Sequence, residues 1–273
     1  MKNIISDLKS QFLKYDIDGY IIPQNDEFFS EYSNKDRLKK ISNFTGSAGY
    51  AVILKNRNYL FVDSRYTIQA QLESGKKFKI LNYEDIFNCK IFKNLVIGID
   101  PNLFTSIQIK KIFTYNKIKL IKENLIDNII KFKNKNPKPF YSLEKKIVGE
   151  GHKNKLYKII KYLKKNNLDY IFITAPENVA WLLNIRGVDN PNSPIPNCHL
   201  LIDKKNNLYL ICEKKKAKKI IVEKKISEKQ VIEFGNFEKL IKDLKGNKMI
   251  IDYKTCSLFF ETVLRKKFKI LKK

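Results

Sequence analysis

The chain has 273 residues, 43% of them apolar and 12% aromatic, which excludes a disordered polymer and allows two domains, each with its own core. Its formal charge of +26 invites polyanion binding, but of 54 basic residues only Arg37, Arg57, Arg65, Arg186 and Arg265 carry the guanidinium fork that phosphate and base recognition favours. The lysines are spread along the chain beside many Asn and Ile residues, which argues for compositional drift and against a nucleic-acid face.

Lys2 to Tyr15 carries apolar residues at helical spacing, with no apolar signal-peptide core and no later run long enough to span a membrane, so a cytoplasmic protein is expected. A short buried strand follows at Tyr20 to Ile22, stopped by Pro23. Ala51 to Leu54 and Tyr59 to Val62 flank a polar turn and read as a hairpin. Arg65 to Ser74 reads as a helix closed by Gly75, Val96 to Ile99 as a strand, and Ser106 to Phe113 as an amphipathic helix. Strands alternating with helices predict an α/β fold.

The run KFKNKNPKPFYS, Lys131 to Ser142, breaks the pattern and reads as a linker, placing domains at 1–132 and 143–273 with a linker at 133–142. Beyond it the order of elements returns. His152 to Leu163 reads as a helix, and Asp169 to Ile173 echoes Asp18 to Ile22. HLLIDKKNNLYLI (His199 to Ile211) echoes AVILKNRNYLFV (Ala51 to Val62), and MIIDYKTCSLFFETVLRKKF (Met249 to Phe268) echoes VIGIDPNLFTSIQIKKIF (Val96 to Phe113). Three ordered echoes at an offset near 150 residues point to a duplicated domain.

No catalytic constellation emerges. His152 and His199 are the only histidines, neither in an HExxH pattern, and His199 lies on a strand with Cys198 pointing to the opposite face, so no metal site is expected and both are read as structural. Cys89, Cys198, Cys212 and Cys256 show no CxxC spacing and read as reduced, mostly buried thiols. FTGSAG, Phe44 to Gly49, fits neither a phosphate loop nor a nucleophile elbow and reads as a tight turn whose glycines reach positive φ and allow close backbone approach. Arg65, in the strand-to-helix junction Asp63-Ser64-Arg65-Tyr66, and Arg186, in Trp181 to Gly187, are rare arginines where binding groups sit; each could equally hold a structural carboxylate. Trp181 is expected in the core more than against a ligand.

YIIPQNDEFFSEY (Tyr20 to Tyr32), FTGSAGYAVI (Phe44 to Ile53), VDSRYTIQA (Val62 to Ala70), ENVAWLLNIRGVD (Glu177 to Asp189) and NSPIPNCHLLI (Asn192 to Ile202) occur in order over essentially the whole chain. Together they resemble the N-terminal half of the three-domain Xaa-Pro aminopeptidases (aminopeptidase P) of the creatinase and prolidase superfamily. The resemblance implies two tandem creatinase N-terminal-type domains, each a mixed β-sheet flanked by helices. It also implies that the C-terminal pita-bread domain, which in the family holds two divalent metals, usually manganese, lies outside this sequence, leaving no catalytic residue or cofactor here.

By resemblance, Glu31 and Arg65 look toward the active-site mouth of domain one, Glu31 to hold a peptide's amino group and Arg65 to orient that carboxylate or a peptide carbonyl. Arg186 joins them as a substrate-side candidate. Ser64 stands where the family has glycine in D-G-R-Y, which removes backbone freedom there. The implied function is the non-catalytic region of a cytoplasmic Xaa-Pro aminopeptidase, truncated or split, that shapes the active-site mouth and assembly. Its implied partners are a separately encoded metallopeptidase domain, a second copy in a homodimer, and peptides with proline at position two. The alternative is a stand-alone module that lost the enzyme and holds an acidic partner on its basic surface.

Overall fold

The computed structural model describes residues 3–33, 35–87, 90–132 and 137–272, without the side chain of 272, and divides into two compact units, 1–134 and 135–273. Cys89 and the first four residues of the expected linker, 133–136, lie outside the described residues.

In the first unit, α1 (Ile4–Ser10) leads into β1 (Gly19–Pro23). Then come α2 (Arg37–Ser42), the hairpin β2 (Gly49–Leu54) and β3 (Asn58–Val62), α3 (Thr67–Ser74) and β4 (Lys79–Asn82). The unit closes with β5 (Val96–Ile99), α4 (Ser106–Ile112), β6 (Lys117–Leu120) and α5 (Leu125–Ile129). The sheet order is β4-β3-β2-β1-β5-β6, with β2 antiparallel to β1 and β3 and the other neighbours parallel. The central strands are buried along their length because helices cover both faces, which is why they read as continuous apolar runs.

The second unit begins with β7 (Tyr141–Ser142), α6 (Lys145–Val148), α7 (His152–Lys165), β8 (Tyr170–Ile173), α8 (Pro176–Leu183) and β9 (Ile185–Arg186). It continues with β10 (His199–Asp203), β11 (Leu208–Ile211), α9 (Lys214–Val222), β12 (Val231–Ile232), α10 (Phe237–Asp243), β13 (Lys248–Ile251), α11 (Leu258–Arg265) and β14 (Lys269–Lys272). Its sheet, β12-β11-β10-β8-β13-β14, has the order and strand directions of the first. Tyr141 and Ser142 pair with Arg186 and Ile185, and Phe140 is wholly buried, so the last residues of the expected linker belong to this unit. Strand β10 divides the core: Leu200 and Ile202 pack on one face with Cys198, while Leu201 faces Phe172, Phe237 and Phe260. Cys256, Phe260, Leu264 and Phe268, in the C-terminal segment, are buried in that second cluster.

The duplication extends to one polar device. Asp18 accepts from the Val96 amide (2.9 Å) and the Lys55 ammonium (2.7 Å), tying β5 to the start of β1. Asp169 accepts from the Asn247 and Lys248 amides (2.8 and 3.0 Å) and from Lys204 (2.7 Å). The Lys55 hydrogen bond and the Val96 amide hold the Asp18 carboxyl below its usual range. Burial opposes ionisation of Asp169, but Lys204 and the two amides hold it down to about 2.

Candidate functional site

The segment between β1 and α2 carries Glu31. It turns at Asp26, whose carboxylate accepts from the Phe28 and Ser30 amides (2.9 and 3.0 Å) and whose burial pushes its pKa up. It is anchored through Arg37, 1% exposed, whose guanidinium grips Asp127 of α5 at 2.7 and 2.8 Å and Glu27 at 2.5 Å, while Lys35 reaches the same two carboxylates. Burial works against all three charges, yet their mutual pairing keeps Glu27 and Asp127 ionised and Arg37 protonated. Glu31 itself is exposed.

The Phe44 to Gly49 turn differs from expectation in one respect: neither glycine has positive φ. The left-handed position is Asn43, at φ 69°, where α2 ends. The glycines answer to space, because a Cβ on Gly46 would fall 2.2 Å from Phe44 Cζ and one on Gly49 2.8 Å from the Phe61 carbonyl oxygen. Gly75 likewise ends α3 in the right-handed region.

Ser64 opens a 3-10 turn (Ser64–Tyr66) that needs no positive φ, so serine fits where the family pattern has glycine. Asp63 caps the turn and also takes the Arg65 guanidinium at 2.8 and 3.2 Å, while Arg65 Cζ lies 5.7 Å from the centre of the Tyr66 ring. Asp63 raises the Arg65 pKa most, followed by Tyr66 and, least, Glu31, on an exposed, solvent-screened surface.

Arg186 belongs to the second unit. Its Nη1 donates to the Ile185 carbonyl (2.8 Å) and the Ala180 carbonyl (3.4 Å), and among the described residues it pairs with no carboxylate. It is one of three cations on the C-terminus of α8. Lys155 donates to the Trp181 carbonyl and Asn184 Oδ1 (2.8 and 2.7 Å), and Lys225 donates to the Leu183 and Asn184 carbonyls (3.1 and 3.0 Å). The last carbonyls of a helix lack intrahelical partners and carry partial negative charge, so cations replace water there. Burial lowers the pKa of both lysines. Trp181 corrects the core expectation: it is 58% exposed, with the Lys155 ammonium 4.1 Å from its ring centre.

His199 is 2% exposed, its Nδ1 is 2.8 Å from the Thr174 carbonyl, and Phe172, Phe234 and Phe260 surround its ring. A carbonyl only accepts, so Nδ1 carries the proton, and burial pushes the imidazole pKa down to about 4. Cys198, Cys212 and Cys256 are free and buried, and burial raises each thiol pKa, the reverse of what a nucleophile needs. Among the described residues no three His, Cys, Asp or Glu side chains converge as a metal set, so the dinuclear centre of the resembling enzymes does not fit them. No helix among them is long and apolar enough to cross a membrane.

Two models of the creatinase/prolidase N-terminal domain match in succession, at residues 5–133 and 132–273. Xaa-Pro aminopeptidase 1 of Dictyostelium discoideum is 32% identical over 203 residues, 66% of this chain and 32% of that protein. A probable Xaa-Pro aminopeptidase P of Laccaria bicolor is 29% identical over 209 residues, 70% of this chain and 32% of that protein. The match thus spans about a third of these relatives. The X-prolyl aminopeptidase of Caenorhabditis elegans, a cytosolic enzyme with a di-nuclear active site, has the same fold over 99% of this chain and 50% of its own, with a TM-score of 0.85 at 21% identity.

Proposed function

Since the chain belongs, through both of its units, to the creatinase/prolidase N-terminal domain family, we propose that it is the N-terminal, non-catalytic region of a cytoplasmic Xaa-Pro aminopeptidase. One observation carries this reading: named Xaa-Pro aminopeptidases match along most of this chain but over only about a third of their own length, which leaves the chemistry to the rest. In this reading a metallopeptidase domain bearing two divalent metals, manganese by family habit, cleaves the bond before a second-position proline, in a homodimeric assembly.

The contribution of these residues is binding and positioning. Glu31, exposed on an anchored loop, holds the free amino group of a peptide, and Arg65 leaves Asp63 to orient Glu31 or a peptide carbonyl. That exchange is cheap because Arg65 is exposed and Asp63 partly so, which leaves their pairing screened by solvent. Arg186 serves as a further substrate-side cation. The purified chain, supplied with manganese and an Xaa-Pro peptide, should release no N-terminal residue; release would overturn the proposal. Supplying the cognate metallopeptidase domain should restore cleavage, and Glu31→Gln should then raise KM.

A stand-alone module is the second reading, favoured by the lysine-dense face of α9. Absence of any pita-bread reading frame from the genome would support it over the first.

A further inference from the structure

Helix α9 reads KKKAKKIIV, so five of its first six residues are lysine. Lys216 turns inward to Asp189 (2.9 Å) and Glu213 (3.3 Å). Lys214, Lys215, Lys218 and Lys219 are exposed, and among the described residues none makes an ion pair. The acids nearby are already engaged: Asp189 and Glu213 by Lys216, Glu223 by the Ser142 hydroxyl, and Glu233 by the Lys214 amide. Like charges at i, i+3 and i+4 repel, so Lys215, Lys218 and Lys219 carry a local cost that no ion pair among the described residues relieves.

Beside them lies an open groove of about 460 Å³ lined by Pro137, Pro139, Lys215, Lys218, Lys219 and Val222. Two pyrrolidine rings and a valine that is 82% exposed give it apolar ground between three ammonium groups.

We propose that this groove docks an acidic peptide segment of a protein partner, extended along α9. Lys215 and Lys219 are one turn apart, a rise of about 6 Å. Alternate side chains of an extended strand repeat at about 6.7 Å, so two carboxylates in an acidic-apolar alternation meet the two lysines while an apolar neighbour covers the prolines and Val222. A nucleic acid fits less well, because the lining has no aromatic ring for base stacking and no guanidinium for a bidentate phosphate grip. The inference does not depend on the aminopeptidase reading, since the groove contains none of Glu31, Arg65 or Arg186.

The test is fluorescence anisotropy of a labelled short Glu-Val alternating peptide at physiological salt, with a labelled oligothymidine and inorganic polyphosphate as comparison probes. Charge reversal by Lys215→Glu, Lys218→Glu and Lys219→Glu together should weaken peptide binding by about tenfold or more, roughly the worth of two surface ion pairs plus the repulsion that reversal adds. An equal reversal at the exposed Lys110, Lys111 and Lys117 of the first unit should change it less than about twofold. The neutral triple Lys→Gln at 215, 218 and 219, with circular dichroism on each variant, separates lost binding from lost fold and should give an intermediate loss. Equal losses at both faces, no binding by the parent chain, or polyphosphate or oligothymidine binding as tightly as the peptide would each overturn the proposal.

Discussion

Acid should destabilise the second unit through His199. The ring is neutral in the fold, with its pKa pushed down to about 4 by burial, whereas an unfolded histidine titrates near 6.5. Between those values the unfolded chain binds a proton that the folded chain refuses, so stability falls as pH falls through this window and is fully kept above it. The gap of about 2.5 units at about 1.36 kcal/mol per unit gives a loss of about 3 kcal/mol by pH 4, a large share of a domain's usual stability. Other carboxylates titrate in the same range, so the measurement must be differential. Urea unfolding of the parent and of His199→Gln, which keeps a donor for the Thr174 carbonyl, should be followed by Trp181 fluorescence, which reports the second unit alone. The parent should lose about 3 kcal/mol relative to the variant between pH 7 and pH 4. A difference that stays constant over that range, or an imidazole seen by NMR to titrate above pH 6, would refute the reasoning.

Three further outcomes follow from particular contacts. Asp169→Ala removes three charge-assisted hydrogen bonds and should cost about 2 kcal/mol in urea unfolding at neutral pH. Because the folded Asp169 pKa is depressed, that cost should fade as pH drops from about 4 toward 2. Asp127→Asn leaves the buried Arg37 charge with Glu27 as its one remaining carboxylate and should cost about 2–3 kcal/mol, exceeding Arg37→Met, which leaves only Glu27 and Asp127, each about a third exposed, to rehydrate; limited proteolysis at residues 24–33 should report both. Gly49→Ala pushes a methyl into the Phe61 carbonyl and should lower stability by about 1–3 kcal/mol, measured as a reduced melting temperature.

The central strands were legible because burial on both faces writes continuous apolar runs such as Tyr20 to Ile22 and Val96 to Ile99. The repeat was legible because both sheets need the same runs at the same spacing. The edge strands β4 and β6, KILN and KIKL, are half exposed and too short for a period to show. Helix α2 escaped notice, although Asp36, which accepts from the Lys39 amide, is an ordinary N-cap signal. The burial of Arg37 could not be read locally, since its partners lie 10 and 90 residues away. Trp181 could have been read correctly: Glu177 and Asn178, one turn before it, mark its side of α8 as outward. At the candidate site the sequence left open whether Arg65 holds a structural carboxylate; that carboxylate is Asp63, two residues before it, which the folded turn brings onto the guanidinium.

The Asp18 clamp sets a schedule for synthesis. Its carboxylate joins the amide of a residue 78 positions later, and β1 cannot gain β5 as a neighbour before that stretch has left the ribosome. At roughly 5–20 residues per second the delay is roughly 4–16 s, during which one edge of the strand holding Tyr20, Ile21 and Ile22 stands open to any passing strand. The second unit repeats the delay over 79 residues, between Asp169 and Lys248. Each nascent chain therefore passes twice through an interval in which a buried central strand, β1 and then β8, is half-paired, and these are the moments at which chaperones have a surface to hold.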